Sequence, residues 1–199
     1  MPRITPKKRE ELPDLEGVFE RAERALGFVP NSFFLMGRVP GILNAFSRLS
    51  REVIGVPGKV PLPLKRLIAH VASRSAGCQY CMAHTAEAAA SMDGVEPEKI
   101  AAAFEFERNP LFSDAERAAL TVAQAAGQVP NAVSDSDFIE LKKHFDEDQI
   151  VEIVAVICLF GWLNRFNDTM ATELEQTPRA FAETTLAPSG WQVGKHDAP

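Results

Sequence analysis

Cys78 and Cys81 stand three residues apart, and His84 follows after another three, in the run Ser75-Ala76-Gly77-Cys78-Gln79-Tyr80-Cys81-Met82-Ala83-His84. Residues at this spacing share one face of a helix, so the two sulfurs come within bonding reach. If the pair opens a helix, unpaired first-turn amides bring partial positive charge to the sulfur. That favours the thiolate, the nucleophilic form. An imidazole on the same face takes the thiol proton or stabilises the thiolate as imidazolium. The residue types and spacing therefore predict a redox-active thiol pair served by a histidine.

Other uses of the motif fit less well. A c-type haem site needs histidine directly after the second cysteine, where Met82 stands. Structural zinc needs four ligands; the motif offers three, with His70 or Cys158 the only completers at hand. A thioredoxin-like fold would place the motif after a strand, but the preceding segment is helical in pattern. No metal and no organic cofactor is expected. Cys158, between Ile157 and Leu159, reads as inert core, since free cysteine often serves as a small hydrophobe.

The elements that must position the thiols are all helical in period. Leu15 to Leu26 carries an apolar stripe closed by Gly27, and Phe28-Val29-Pro30-Asn31 reads as a loop. A second helix spans Pro40 to about Val56, a third Pro63 to Ser75, and the thiol helix runs on to Met92. Pro97 opens another, reaching about Phe106. Ser113 with Glu116 forms a capping box. Ser134 and Asp146 are flanked by hydrophobic pairs, Val133 with Phe138 and Phe145 with Ile150, as staples would be. The last long helix is read from Glu147 to Leu174, apolar on nearly every face between Ile150 and Leu163 and hence central. No stretch alternates with period two. The reading is a compact all-α domain of about seven or eight helices over residues 15–180, with an N-terminal arm (1–14) and a C-terminal tail (181–199).

The net charge of -6 gives no electrostatic support for nucleic-acid binding. Residues 1–30 contain no apolar signal region. The Ile150–Leu163 run is too short to span a bilayer and carries Glu152. A cytoplasmic protein with no membrane partner is expected.

At these residues the chain resembles the carboxymuconolactone decarboxylase-like superfamily, in its alkylhydroperoxidase D-like branch. The core match is Ser73 through Thr85. Supporting matches are Gly27-Phe28-Val29-Pro30-Asn31, the run Phe112 to Leu120, and Leu163-Asn164-Arg165-Phe166-Asn167-Asp168. The resemblance implies an all-helical fold, a homo-oligomer, and thiol-dependent peroxidase or disulfide-reductase chemistry. Its substrate would be a hydroperoxide or disulfide, and an electron-donor protein would restore the thiols. It implies Cys81 as the attacking thiol, Cys78 as the resolving thiol and His84 as the proton carrier. Two positions depart from the pattern. The relay glutamate expected twelve residues before the first cysteine is Arg66. The histidine that some members carry four residues after the second cysteine here lies three after it, with Thr85 next.

Glu87 and His70 are the candidates to replace the missing acid, and Arg66 either stabilises a thiolate, binds an anionic substrate or lies solvated beside Lys65. Asn164, Arg165 and Asp168 read as a polar wall of the thiol pocket, or else as an internal Arg–Asp tie or subunit contact. His144 and His196 show no partner pattern, and Trp191 reads as a tail residue. Two other functions compete: a decarboxylase or lactone-processing enzyme with a histidine base, and a non-enzymatic redox sensor.

Overall fold

The computed structural model describes residues 2–197, and among them the chain is all-α, with ten α-helices and no strand. After two single 3₁₀ turns come α1 (Glu16–Leu26), α2 (Asn31–Met36), α3 (Pro40–Ser50), α4 (Leu62–Ser75) and α5 (Gln79–Ser91). Then follow α6 (Pro97–Ala101), α7 (Asp114–Ala126), α8 (Asp135–Leu141), α9 (Glu147–Met170) and α10 (Gln176–Thr185).

Local signals explain several of these boundaries. The capping box at Ser113 forms, with the Ser113 hydroxyl accepting from the Glu116 amide and the Glu116 carboxylate accepting from the Ser113 amide. Reciprocal boxes also form at Ser134 with Asp137 and at Asp146 with Gln149. Each N-cap of this kind stabilises its helix by about 1 kcal/mol. Gly27 ends α1 in the left-handed conformation, with φ of 80°.

α4 is the centre of the molecule. It packs against α5, α7 and α9, and every residue from Leu64 to Ser73 is buried. α9 is long and apolar enough, by length and composition alone, to cross a membrane. Here it packs on α4, α5 and α7 and shows an outer face carrying Val151, Cys158 and Trp162.

Five sequence expectations change. α9 ends at Met170, not Leu174, because Ala171 turns left-handed with φ of 50°. α2 occupies a stretch with no assigned element, and α10 lies where periodicity fades, since it buries little beyond Pro178 and Ala182. The segment read as a tail over 181–199 is packed across its described residues, with Trp191 and His196 buried; residues 198–199 lie outside the described part. Lys65 and Arg66 are buried rather than solvated. Lys65 Nζ bonds the Val53 carbonyl and lies 2.9 Å from Glu152, and Arg66 Nε donates to Asp93 at 2.7 Å.

Candidate functional site

The thiol helix starts where the sequence placed it. Gly77, with φ of 74°, takes a left-handed turn that side chains resist and lets the Cys78 amide bond the Ser73 carbonyl at 3.1 Å. Cys78 is then the N-cap of α5, and its sulfur accepts from the Cys81 amide at 3.4 Å. The two cysteines close to 3.2 Å, and both are free thiols.

Their environments differ. The helix-terminus amide reaches Cys78, not Cys81. Cys81 is buried, and burial pushes its thiol well above the usual cysteine range, reinforced by the bond with Cys78. Asn167 opposes this: its Nδ2 donates to the Cys81 sulfur at 3.6 Å, and its Oδ1 is held by the Thr172 hydroxyl at 2.9 Å. Cys81 thus needs a base to ionise, because its position alone favours the neutral thiol.

His84 lines the same cavity as Cys81. Its Nε2 lies 2.6 Å from Glu175 Oε2, and its ring stacks on Tyr80, with centroids 4.4 Å apart. The Tyr80 hydroxyl donates to Glu175 Oε1 at 2.9 Å, and the Asn31 amide donates to the same oxygen. Burial works against the Glu175 carboxylate, but His84 and the donated bonds outweigh it, so its pKa falls below the usual range. Glu175 is therefore ionised at neutral pH and can only accept, which places a proton on His84 Nε2. Tyr80 is driven the other way by burial and by Glu175, and stays a neutral donor.

The cavity encloses about 630 Å³. Its walls include Phe33, Phe46, Leu62, Leu159, Phe160 and Leu163, with Cys81, His84 and Asn167 as the polar side. Arg66 and Asp93 also line it, already paired with each other.

The remaining predicted residues scatter. His70 is buried beneath the thiol helix, with Nδ1 3.0 Å from the Thr85 hydroxyl, which itself bonds the Cys81 carbonyl at 2.7 Å. Glu87 is half-buried, and the carboxylate at His84 is Glu175 instead. Asn164 is buried, and its side-chain O and N have no partner among the described residues. Arg165 is exposed and bonds the Gly161 carbonyl of its own helix, while Asp168 pairs with Lys195, so no Arg165–Asp168 tie forms. Cys158, expected in the core, is exposed, because it sits on the outer face of α9. The sequence reading missed Glu175, Asn167 and His196. Asn167 lay inside a quoted motif, and its place three residues after Asn164 was the available signal. Glu175 precedes the Thr177-Pro178 pair that opens α10.

Three donor atoms, from Cys78, Asp168 and His196, lie within 4.8 Å of one another. They fall short of the four ligands of a structural zinc site, and a sulfur committed to a metal could not close on Cys81.

Residues 40–125 match the carboxymuconolactone decarboxylase family. The debrominase Bmp8 shares 37% identity and superposes with a TM-score of 0.84, covering 91% of this chain and 96% of that one. The chain belongs to the carboxymuconolactone decarboxylase family. A peroxidase-related protein of the alkylhydroperoxidase D core from Ralstonia eutropha JMP134 has the same fold, with a TM-score of 0.80 at 21% identity over 91% of this chain and 95% of that one. YnjA of Escherichia coli (strain K12) is 37% identical over 93 residues, a match spanning 47% of this chain and 50% of YnjA. The resemblance read from the sequence leads one to expect a carboxylate on α4 for His84, but the carboxylate in contact with His84 is Glu175. It comes from the start of α10 rather than from α4, where Arg66 stands.

Proposed function

We propose that this protein is a thiol-dependent reductase whose substrate is an organic hydroperoxide held in the apolar cavity. The observation that carries this is the thiol pair closed to 3.2 Å, with Cys81 at the wall of a cavity that His84 also lines. His84, held by Glu175, takes the Cys81 proton, and Asn167 stabilises the sulfur anion. The Cys81 thiolate attacks the outer peroxide oxygen, the O–O bond breaks, and the departing alkoxide is protonated to an alcohol. Cys81 becomes a sulfenic acid. The Cys78 thiolate attacks that sulfur, the S–O bond breaks, hydroxide leaves as water, and a Cys78–Cys81 disulfide forms. An external dithiol protein, of the kind kept reduced in cytoplasm, returns two electrons and restores both thiols. A decarboxylase reading leaves the paired sulfurs without a task.

A second reading has a specific observation behind it. Bmp8 is a debrominase, and a cysteine-to-alanine variant of it forms a complex with 2,3,4-tribromopyrrole. The cavity of this chain is far larger than hydrogen peroxide requires and is walled by aromatic and aliphatic groups, which suits a halogenated ring. The thiolate would then take the halogen from carbon, the carbanion would take a proton, and Cys78 would expel halide. The test is single-turnover reaction of the reduced protein with cumene hydroperoxide and with a bromopyrrole, following free thiols and released bromide. Thiol loss with peroxide, abolished in Cys81→Ser, supports the first reading; bromide release supports the second. Full retention of thiols with both substrates sinks both.

A further inference from the structure

The C-terminal segment, which the sequence presents as a tail, brings His196 to Asp168 of α9 beside the thiols. Trp191 Nε1 donates to the Gln79 carbonyl at 3.0 Å, pinning the segment to the first turn of α5. The Leu174 amide donates to the His196 carbonyl at 2.9 Å. His196 is then 1% exposed. Its Nδ1 lies 2.7 Å from the Thr172 carbonyl, and a carbonyl can only accept, so Nδ1 carries the proton. That leaves the Nε2 lone pair. This atom is buried and has no hydrogen-bond partner among the described residues, an uncommon state for a buried nitrogen. Nε2 lies 3.8 Å from Asp168 Oδ1, and one ring nitrogen of His196, the Cys78 sulfur and an Asp168 oxygen all lie within 4.8 Å of one another.

We infer that His196 is the proton acceptor of the resolving thiol, with Asp168 stabilising the imidazolium, so that each cysteine has its own histidine–carboxylate pair. The assignment rests on the thiol-reductase reading and deepens it. Rotation of the Cys78 side chain brings its S–H to Nε2, and the proton passes to the ring. The thiolate then attacks the oxidised Cys81 sulfur; the S–S bond forms, the bond to the leaving group breaks, and the imidazolium proton neutralises departing hydroxide as water. No further oxidant is needed beyond the hydroperoxide that oxidised Cys81.

The groups around His196 suit this task. Burial lowers its proton affinity, partly offset by the Thr172 carbonyl and Asp168, which keeps the ring neutral and ready to accept. The charged and titratable neighbours are Asp168 from α9, Cys78 and Tyr80 from α5, and the adjacent Lys195. Lys195 holds Asp168 Oδ2 at 2.8 Å, and the Tyr80 ring lies 5.7 Å from the imidazole. Imidazolium formed between Asp168 and the sulfur is stabilised from one side as charge develops on the other. The division of labour also explains why the pair can be asymmetric. Cys81 faces the cavity with His84, whereas Cys78 is turned toward the folded tail.

Two measurements test the inference. The first needs no substrate: methyl methanethiosulfonate modification of Cys78 in Cys81→Ser/Cys158→Ser, with and without His196→Asn. Loss of the base should slow modification about tenfold and remove the histidine limb of the pH–rate profile. The second is stopped-flow oxidation by cumene hydroperoxide. In His196→Asn the disulfide should close about tenfold more slowly, with sulfenic acid accumulating for capture by dimedone. Asp168→Asn, at a half-exposed side chain, should slow closure less, in the same direction, and decides the matter if His196→Asn does not fold. Closure and modification at wild-type rates, with unchanged pH profiles, overturn the assignment. If wild-type Cys81 reacts with no hydroperoxide, the reductase reading fails, while the thiosulfonate measurement still decides the role of His196.

Discussion

Glu175 Oε2 rests 2.6 Å from His84 Nε2 across 91 residues of sequence, and in the proposed reaction this contact supports the proton transfer from Cys81. The carboxylate fixes the tautomer and orientation of the ring and stabilises it once protonated. Glu175→Gln keeps the shape but loses the charge. The rate of Cys81 oxidation should fall about ten- to a hundredfold, measured as single-turnover thiol loss. Glu87→Gln should leave it unchanged, because the ring is held from the other element. Equal effects of the two changes would remove Glu175 from the relay.

Arg66 would be a natural place to restore the glutamate that the sequence pattern leads one to expect. The structure argues that Arg66→Glu will damage the protein instead. Arg66 and Asp93 form a buried pair, with side chains 11% and 8% exposed, and the change would set two carboxylates against each other. Breaking such a pair costs about 3–5 kcal/mol. Denaturant unfolding should show a loss of that order, and Arg66→Glu/Asp93→Arg should recover part of it. A stable Arg66→Glu with faster peroxide turnover would contradict this.

The thiol helix was legible because its chemistry is local: Cys78, Cys81 and His84 are spaced to share a face, and Gly77 punctuates the entry. The capping residues Ser113, Ser134 and Asp146 were legible for the same reason, since each cap closes within three residues. What escaped is what depends on distant chain. Lys65-Arg66 reads as solvated until Glu152 and Asp93 arrive from other elements to pair with them. Glu175 and His196 carry no local pattern, and Asn167 shows only its spacing from Asn164; each acquires its meaning only when α9, α10 and the folded tail meet α5. α10 itself is polar along most of its length, so periodicity could not announce it.

His70 makes the fold acid-sensitive. Complete burial lowers its pKa from 6.5 to about 4, against a smaller opposing effect of the Met82 backbone. The unfolded chain therefore binds the proton more readily between these values. The contribution is intact above about pH 6.5 and is lost as pH falls toward 4, reaching about 3 kcal/mol. Urea unfolding at about pH 7 and about pH 4.5 should show this loss, and His70→Gln should flatten it. His196, also lowered by burial, acts in the same direction, so a residual slope should remain. An identical pH dependence in His70→Gln would show that another group governs it.

The outer face of α9 supports the proposal that the protein assembles with copies of itself. Val151, Cys158 and Trp162 are seven and four residues apart, which places all three on one stripe of the helix. Val151 is 68% exposed and Trp162 39%. The stripe borders a groove that Phe138, Cys158, Trp162 and Phe166 line. Trp162 is stiffened by stacking on Phe166 and Phe46, at 5.2 and 5.1 Å, so it presents a fixed apolar surface rather than a mobile side chain. An exposed apolar stripe beside a groove is the kind of surface that interfaces use. Sedimentation should give a species that is a multiple of 21.8 kDa. Val151→Glu sets a charge at the N-terminal end of the exposed stripe without touching a buried contact, so it should shift the protein to monomer while leaving its helical signal intact. A wild-type protein that sediments as monomer at high concentration would refute the assembly. A Val151→Glu protein that stays associated would move the interface to another face.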